Sequence, residues 1–156
     1  MKVKFIVIGK TTDKYIIPGI EEYNKRLKRY CEYEYVELNG VKLGKSATGE
    51  ETKRKEEDII FAKLEKSDFL VLLDERGVEY TSNKFGDFIK KHHMIGTKRL
   101  VFLIGGAYGF SEAVYQRANF KLALSQMTFT HQMVRLIFTE QLYRAFTITK
   151  GEKYHH

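Results

Sequence analysis

The sequence predicts an α/β fold with a mostly parallel sheet flanked by helices, in a single domain over residues 1–156. Three observations carry that expectation. Apolar, β-branched runs at residues 3–8, 68–74 and 99–104 read as buried strands. Stretches with apolar residues at helical spacing lie between them, the alternation that builds parallel sheets. One proline, no internal repeat and no linker-like composition in 156 residues fit one core.

The first strand becomes continuously apolar before Gly9. A helix over 18–30 follows, with Ile16, Ile20, Tyr23, Leu27 and Tyr30 on one side and Glu21, Glu22, Lys25, Lys28 and Arg29 on the other. Pro18 is tolerated only in its first turn. Residues 33–38 read as a second strand, and 39–49, with three glycines, as a mobile loop. A charged helix over 50–66 buries Ile59, Ile60, Phe61 and Leu64. Its basic start reads either as a solvated face with pairs such as Lys53–Glu57 or as an RNA contact. The run 68–74 is closed by charge like a central strand, and Ser82 is placed to cap a helix through Phe85, Phe88 and Ile89. The strand at 99–104 runs into Gly105-Gly106-Ala107-Tyr108-Gly109. A short helix from about Ser111 and a short strand at 122–124 lead to a long helix over 130–149. That last helix is apolar around nearly its whole circumference, so it needs cover on all sides. In so short a chain the second cover is expected to be another copy, in a homodimer.

Twenty-seven Lys and Arg against 20 Asp and Glu give a net charge of +7, which favours polyanions without choosing one. The single Cys31 excludes an internal disulfide framework. No apolar run has the length of a membrane span, and the amino terminus lacks a secretory signal pattern. A cytoplasmic protein is expected.

In sheets of this kind ligands sit beyond the carboxyl ends of the strands, here the loops 74–77 and 105–109. The glycine loop is neither a dinucleotide fingerprint nor a Walker A loop, and by itself serves equally as a structural turn. His92 and His93 are adjacent, His131 has Arg135 rather than a ligand four residues on, and Cys31 is remote, so no metal is expected. No nucleophile elbow or triad pattern is present. On the last helix His131 and Arg135 share one face and Glu140 and Arg144 roughly the opposite one. Each pair needs a salt bridge, a ligand, an RNA phosphate or a partner subunit to satisfy it.

Five ordered blocks are more specific than any of these features alone. They are Leu73-Asp74-Glu75-Arg76-Gly77, Phe102-Leu103-Ile104-Gly105-Gly106-Ala107-Tyr108-Gly109, Leu124-Ser125-Gln126-Met127-Thr128-Phe129-Thr130-His131-Gln132-Met133, Glu140-Gln141-Leu142-Tyr143-Arg144-Ala145-Phe146 and Gly151-Glu152-Lys153-Tyr154-His155. Together they resemble the bacterial large-subunit rRNA pseudouridine-N3 methyltransferases, small members of the SPOUT class, over essentially the whole chain. The resemblance implies a trefoil knot near the carboxyl end, a homodimer, and S-adenosylmethionine held by Leu73, Gly105, Leu124, Ser125, Gln126, Met127, Thr128 and Phe129. It also implies 23S rRNA as substrate, with the assembled large subunit or ribosome expected as the form recognised. Thr130 departs from the proline common in the family, which leaves the knot loop less constrained. The terminal pattern makes Tyr154-His155 native, and leaves His156 open between a native residue and an expression tag.

Methylation at N3 needs an aligned nitrogen, carbon and sulfur and removal of a weakly acidic proton. Residue chemistry and tail position assign His155 as base or proton relay and Tyr154 as the group that stacks on or orients the uracil. Arg135 is assigned to hold a phosphate or a developing anion. Two other readings stand beside this one: a SPOUT methyltransferase for another rRNA or tRNA base, and a non-catalytic ribosome-associated RNA-binding module.

Overall fold

The computed structural model describes residues 1–155, so His156 lies outside the described residues. Five parallel strands form one sheet: β1 (Lys2–Ile8), β2 (Glu32–Leu38), β3 (Phe69–Glu79), β4 (Arg99–Ile104) and β5 (Phe120–Ala123). Their spatial order is β2-β1-β4-β3-β5. The connecting helices are α1 (Ile17–Leu27), α2 (Gly49–Phe61), α3 (Ser82–Met94), α4 (Glu112–Arg117) and α5 (Met133–Thr149), followed by one 3-10 turn, Lys153–His155.

Two-residue alternation divides the core. Val3, Phe5 and Val7 of β1 and Leu100 and Phe102 of β4 face Leu27, Phe85, Ile89, Phe138 and Leu142, so α1, α3 and α5 cover one side. Ile6, Ile8, Val101 and Leu103 face Ile60, Phe110 and Val114 on and beside α2 and α4. Both faces are covered, which is why the strands read as unbroken apolar runs.

Element boundaries differ from the expected ones where side chains intervene. α2 ends at Phe61 rather than near 66, because the carboxylate of Asp68 accepts the Glu65 N–H and turns the chain toward β3. Lys53 pairs with Glu50 rather than Glu57. Thr81, not Ser82, caps α3 by accepting the Lys84 N–H, while the Ser82 hydroxyl donates to Gln141. α5 begins at Met133 because the Gln132 amide is engaged elsewhere: it accepts the Thr12 N–H at 2.7 Å and donates to the Lys10 carbonyl.

β3 runs five residues past Asp74, but its ladder with β5 shifts register between Leu73 and Val78. Residues 74–77 therefore leave the regular pairing, as the loop expected there would. Gly77 then lies directly against the β5 main chain, where a Cβ would come within 2.7 Å of Leu122 and Lys121 backbone atoms. Only glycine permits that approach.

Candidate active site

At the carboxyl edge of the sheet, three separate segments meet around one cavity of about 790 Å³. Leu73 to Arg76 come from the irregular part of β3, Ile104 to Phe110 from the end of β4, and Leu122 to His131 (without Ala123, Gln126 and Thr130) from β5 and the loop into α5. Of the eight residues that the resemblance assigns to the cofactor, seven line it: Leu73, Gly105, Leu124, Ser125, Met127, Thr128 and Phe129. Gln126 is on the same loop but exposed and outside the lining.

The floor is apolar, from Leu73, Ile104, Leu122, Leu124 and Val134, and the rim is charged, from Glu50, Lys53, Asp74, Arg76, Glu112 and His131. A slot of this size with an apolar bed and a few polar groups suits a nucleoside-sized ligand. Tyr108, Met127 and Phe129 stand 59%, 78% and 39% exposed around the mouth, an apolar patch of the kind that a partner or substrate covers.

Side chains at the edge hold the loops. The Tyr115 hydroxyl donates to Asp74, which also accepts the Arg76 N–H at 2.8 Å, and Arg76 donates to the Tyr115 oxygen at 2.8 Å. Burial alone would raise the Asp74 carboxyl, but these hydrogen bonds outweigh it and hold the group below the usual carboxylate range. The Ser125 hydroxyl accepts the Met127 N–H at 3.0 Å and closes a turn in the third segment.

Glu56, buried on α2, accepts the Gly106 N–H. Its carboxylate occupies the space a Cβ at Gly106 would need, so the glycine and the acid are fitted to one another. Burial pushes the Glu56 carboxyl up, and the Gly106 N–H offsets part of that. Sequence reading passed over Glu56, Tyr115 and Glu50, because nothing in their local pattern separates them from other helix residues.

Arg135 faces away from the cavity. It is 3% exposed and donates to the carbonyls of Ile8 at 2.8 Å, Gly9 at 3.0 Å and His131 at 3.0 Å, and to the Thr11 hydroxyl at 3.0 Å. Its donors are directed at the protein's own main chain, so it secures the start of α5 to the end of β1 and has no fork free for a phosphate. Tyr154 and His155 lie at the opposite end of α5, where the Tyr154 hydroxyl meets Tyr23 and Glu140. The structure therefore gathers the three loop segments and leaves the tail apart from the cavity of the same chain. Among the described residues no cluster of His, Cys, Asp and Glu could hold a metal ion, and no helix is long and apolar enough to cross a membrane.

A parallel sheet with a ligand-sized cavity lined by the loops after β3, β4 and β5 defines the class. Residues 1–155 match the family model described as "Predicted SPOUT methyltransferase", and the chain belongs to that family of methyltransferases. Its relatives are more particular. The protein named "Ribosomal RNA large subunit methyltransferase H" from Cytophaga hutchinsonii is 54% identical over 100% of both chains. Proteins of the same name from Christiangramia forsetii and Porphyromonas gingivalis are 49% identical over 100% of this chain and 99% of theirs. Among solved structures, a probable methylase family protein from Haemophilus influenzae Rd KW20 shares the fold, with a TM-score of 0.51 and 11% identity over 97% of this chain and 67% of that one.

Proposed function

We propose that this chain transfers a methyl group from S-adenosylmethionine to N3 of a pseudouridine in 23S rRNA, acting as a homodimer on the assembled large subunit or ribosome. One observation carries the reading: three segments distant in sequence, at 73, at 105 and at 124–129, line a single cavity at the strand ends. The names of the full-length relatives support rRNA as the substrate. The excess of basic residues supports a polyanionic one.

The cavity fits the methyl donor in size and in its combination of an apolar bed with polar main chain. Leu73, Gly105, Leu124, Ser125, Met127, Thr128 and Phe129 would hold it. When bound, the donor supplies a methyl carbon already activated by its sulfonium. The chain's own work is alignment, exclusion of water and removal of the N3 proton. The apolar mouth around Tyr108, Met127 and Phe129 would close on the base and exclude solvent.

The proton acceptor is assigned to His155, and the second copy supplies it. α5 is 17 residues long, about 25 Å, with the cavity at its start and the tail at its end. An antiparallel copy packed along α5 would bring its own tail to this cavity. Met133, Leu136, Ile137 and Tyr143 of α5 are only half-buried in one chain, which supports such packing. Tyr154 is assigned to stack on or orient the uracil with its ring, since its hydroxyl proton is given to Glu140; burial, the Tyr23 hydroxyl and the Glu140 charge hold the phenol well above the ordinary range, so it stays protonated.

The test is transfer of a labelled methyl group to ribosomes lacking the modification, with mass mapping of the product. Label at N3 of a 23S pseudouridine is the expected result. Label on another base would redirect the substrate assignment, and no transfer despite donor binding would overturn the reading.

A further inference from the structure

The six described residues after α5 form one 3-10 turn, Lys153–His155, and no longer helix or strand. The chain turns at Gly151, with the Gly151 and Glu152 N–H groups returning to the carbonyls of Ile148 and Thr147. Glu152 and Lys153 are exposed, and Tyr154 is half-buried. Their course is set instead by side chains from elsewhere. The Tyr30 hydroxyl donates to Glu152 at 2.6 Å. The Tyr154 hydroxyl donates to Glu140 at 3.1 Å and lies 3.0 Å from the Tyr23 hydroxyl, which takes the donor role toward it. Glu140 is itself held by the Arg144 guanidinium at 2.5 Å and the Gln141 amide at 2.8 Å. Arg144 also lies over the Tyr154 ring, 4.9 Å from its centroid, and Tyr143 meets that ring edge-on at 4.8 Å.

Packing alone does not ask for these groups. A phenylalanine at 23 or 30 would fill the same space against Tyr143, whose ring lies 5.7 and 5.8 Å from the two. What the hydroxyls add is direction: each reaches one tail residue. Glu140, already paired with Arg144 and Gln141 of its own helix, accepts one further hydrogen bond, and that one comes from the tail.

We propose that Tyr23 and Glu140 are positioning residues for methyl transfer, fixing Tyr154 and His155 in the geometry that the reaction requires, with Tyr30 holding the tail at Glu152. This rests on the reading that the tail completes the active site of a second copy. The relay Tyr23–Tyr154–Glu140 is assembled within one chain, so the tail is ordered before it meets the partner's cavity and the entropy of ordering it does not fall on the transition state.

The experiment compares full-length Tyr23→Phe, Glu140→Gln and the chain ending at Lys153 in methyl transfer to unmodified ribosomes, with S-adenosylmethionine affinity measured by calorimetry on the same preparations. Tyr23→Phe keeps the ring and loses one hydrogen bond, so kcat is expected to fall about five- to tenfold. Donor affinity and Tm should stay as in the unaltered chain, a separation that general loosening of the fold would not give. A fluorine label on Tyr154 should shift or broaden in the Tyr23→Phe chain. An inactive truncated chain beside Tyr23→Phe and Glu140→Gln of unaltered kcat overturns the positioning role alone. A truncated chain with full activity removes the tail reading beneath it. Loss of kcat matched by equal loss of donor affinity also overturns the proposal.

Discussion

The two ends of α5 are built from different materials. At its start the cavity is walled by main chain and glycine, with large apolar residues exposed at the mouth and charges standing on the rim. At its end phenols, carboxylates and guanidinium groups satisfy one another over a cluster of rings. The first end has unmet capacity for a ligand, and the second holds a segment of the chain itself. In the proposed reading one helix separates binding from positioning by its own length, and a change at either end should leave the other's property intact.

Removing residues 154–156 by ending the chain at Lys153 is the strongest way to break that separation. Methyl transfer to ribosomes should be abolished, while calorimetry finds S-adenosylmethionine bound as before. Joint loss of donor affinity would mean that the two ends are not independent.

Next in size is Arg135→Met, which acts on the framework joining them. The substitution leaves the Ile8, Gly9 and His131 carbonyls without their buried donor, at a cost of about 3 kcal/mol. A Tm lower by about 10 °C in calorimetry is expected. An unchanged Tm with weakened RNA binding would restore a phosphate-holding role for this residue.

A smaller effect is expected at the cavity alone. Glu56→Ala frees the Gly106 N–H and loosens the glycine turn, so donor affinity should fall about tenfold in calorimetry. Glu56→Gln keeps an acceptor oxygen in place and should restore it. Its pH behaviour has a definite sign. A carboxyl raised by burial stabilises the fold below its unfolded value and loses that contribution as pH rises through the folded one. At neutral pH Glu56→Gln removes a buried charge and should raise Tm, whereas no difference between the two chains would mean that the carboxylate is well solvated.

The sequence made the cavity end legible because its chemistry is local. Glycines after a strand and an apolar run closed by Asp74 each carry a pattern that survives without coordinates, whereas the 124–129 segment is reached only through the family resemblance. The strands were legible for the same reason, with Arg99–Ile104 found at its observed limits. Arg135 was misleading because a cation four residues from a histidine looks available until the carbonyls at the end of β1 are seen to claim it. Glu56 and Tyr115 were invisible, since a helix residue acquires its role only when the helix is docked 50 residues from its target. The tail relay joins residues 23, 140 and 154, a separation that no window along the chain spans.

The expectation furthest from methyl transfer concerns Cys31, which lines a second hollow beside Met1, Tyr30, His93 and Phe146 at the amino edge of the sheet, the same end as the tail. Burial, with a minor contribution from Glu32, pushes its thiol up to about 12, against the opposing pull of the amino-terminal ammonium. Since only the thiolate reacts, alkylation of the native chain at pH 8 should run about a thousandfold slower than in the denatured chain. Mass spectrometry of samples quenched over time measures both rates. The rate should climb tenfold per pH unit well past the range in which an ordinary thiol levels off. If Cys31 reacts natively at the denatured rate, the amino edge opens freely, and a tail held against that edge could not be fixed in the way that the relay of Tyr23, Tyr154 and Glu140 requires.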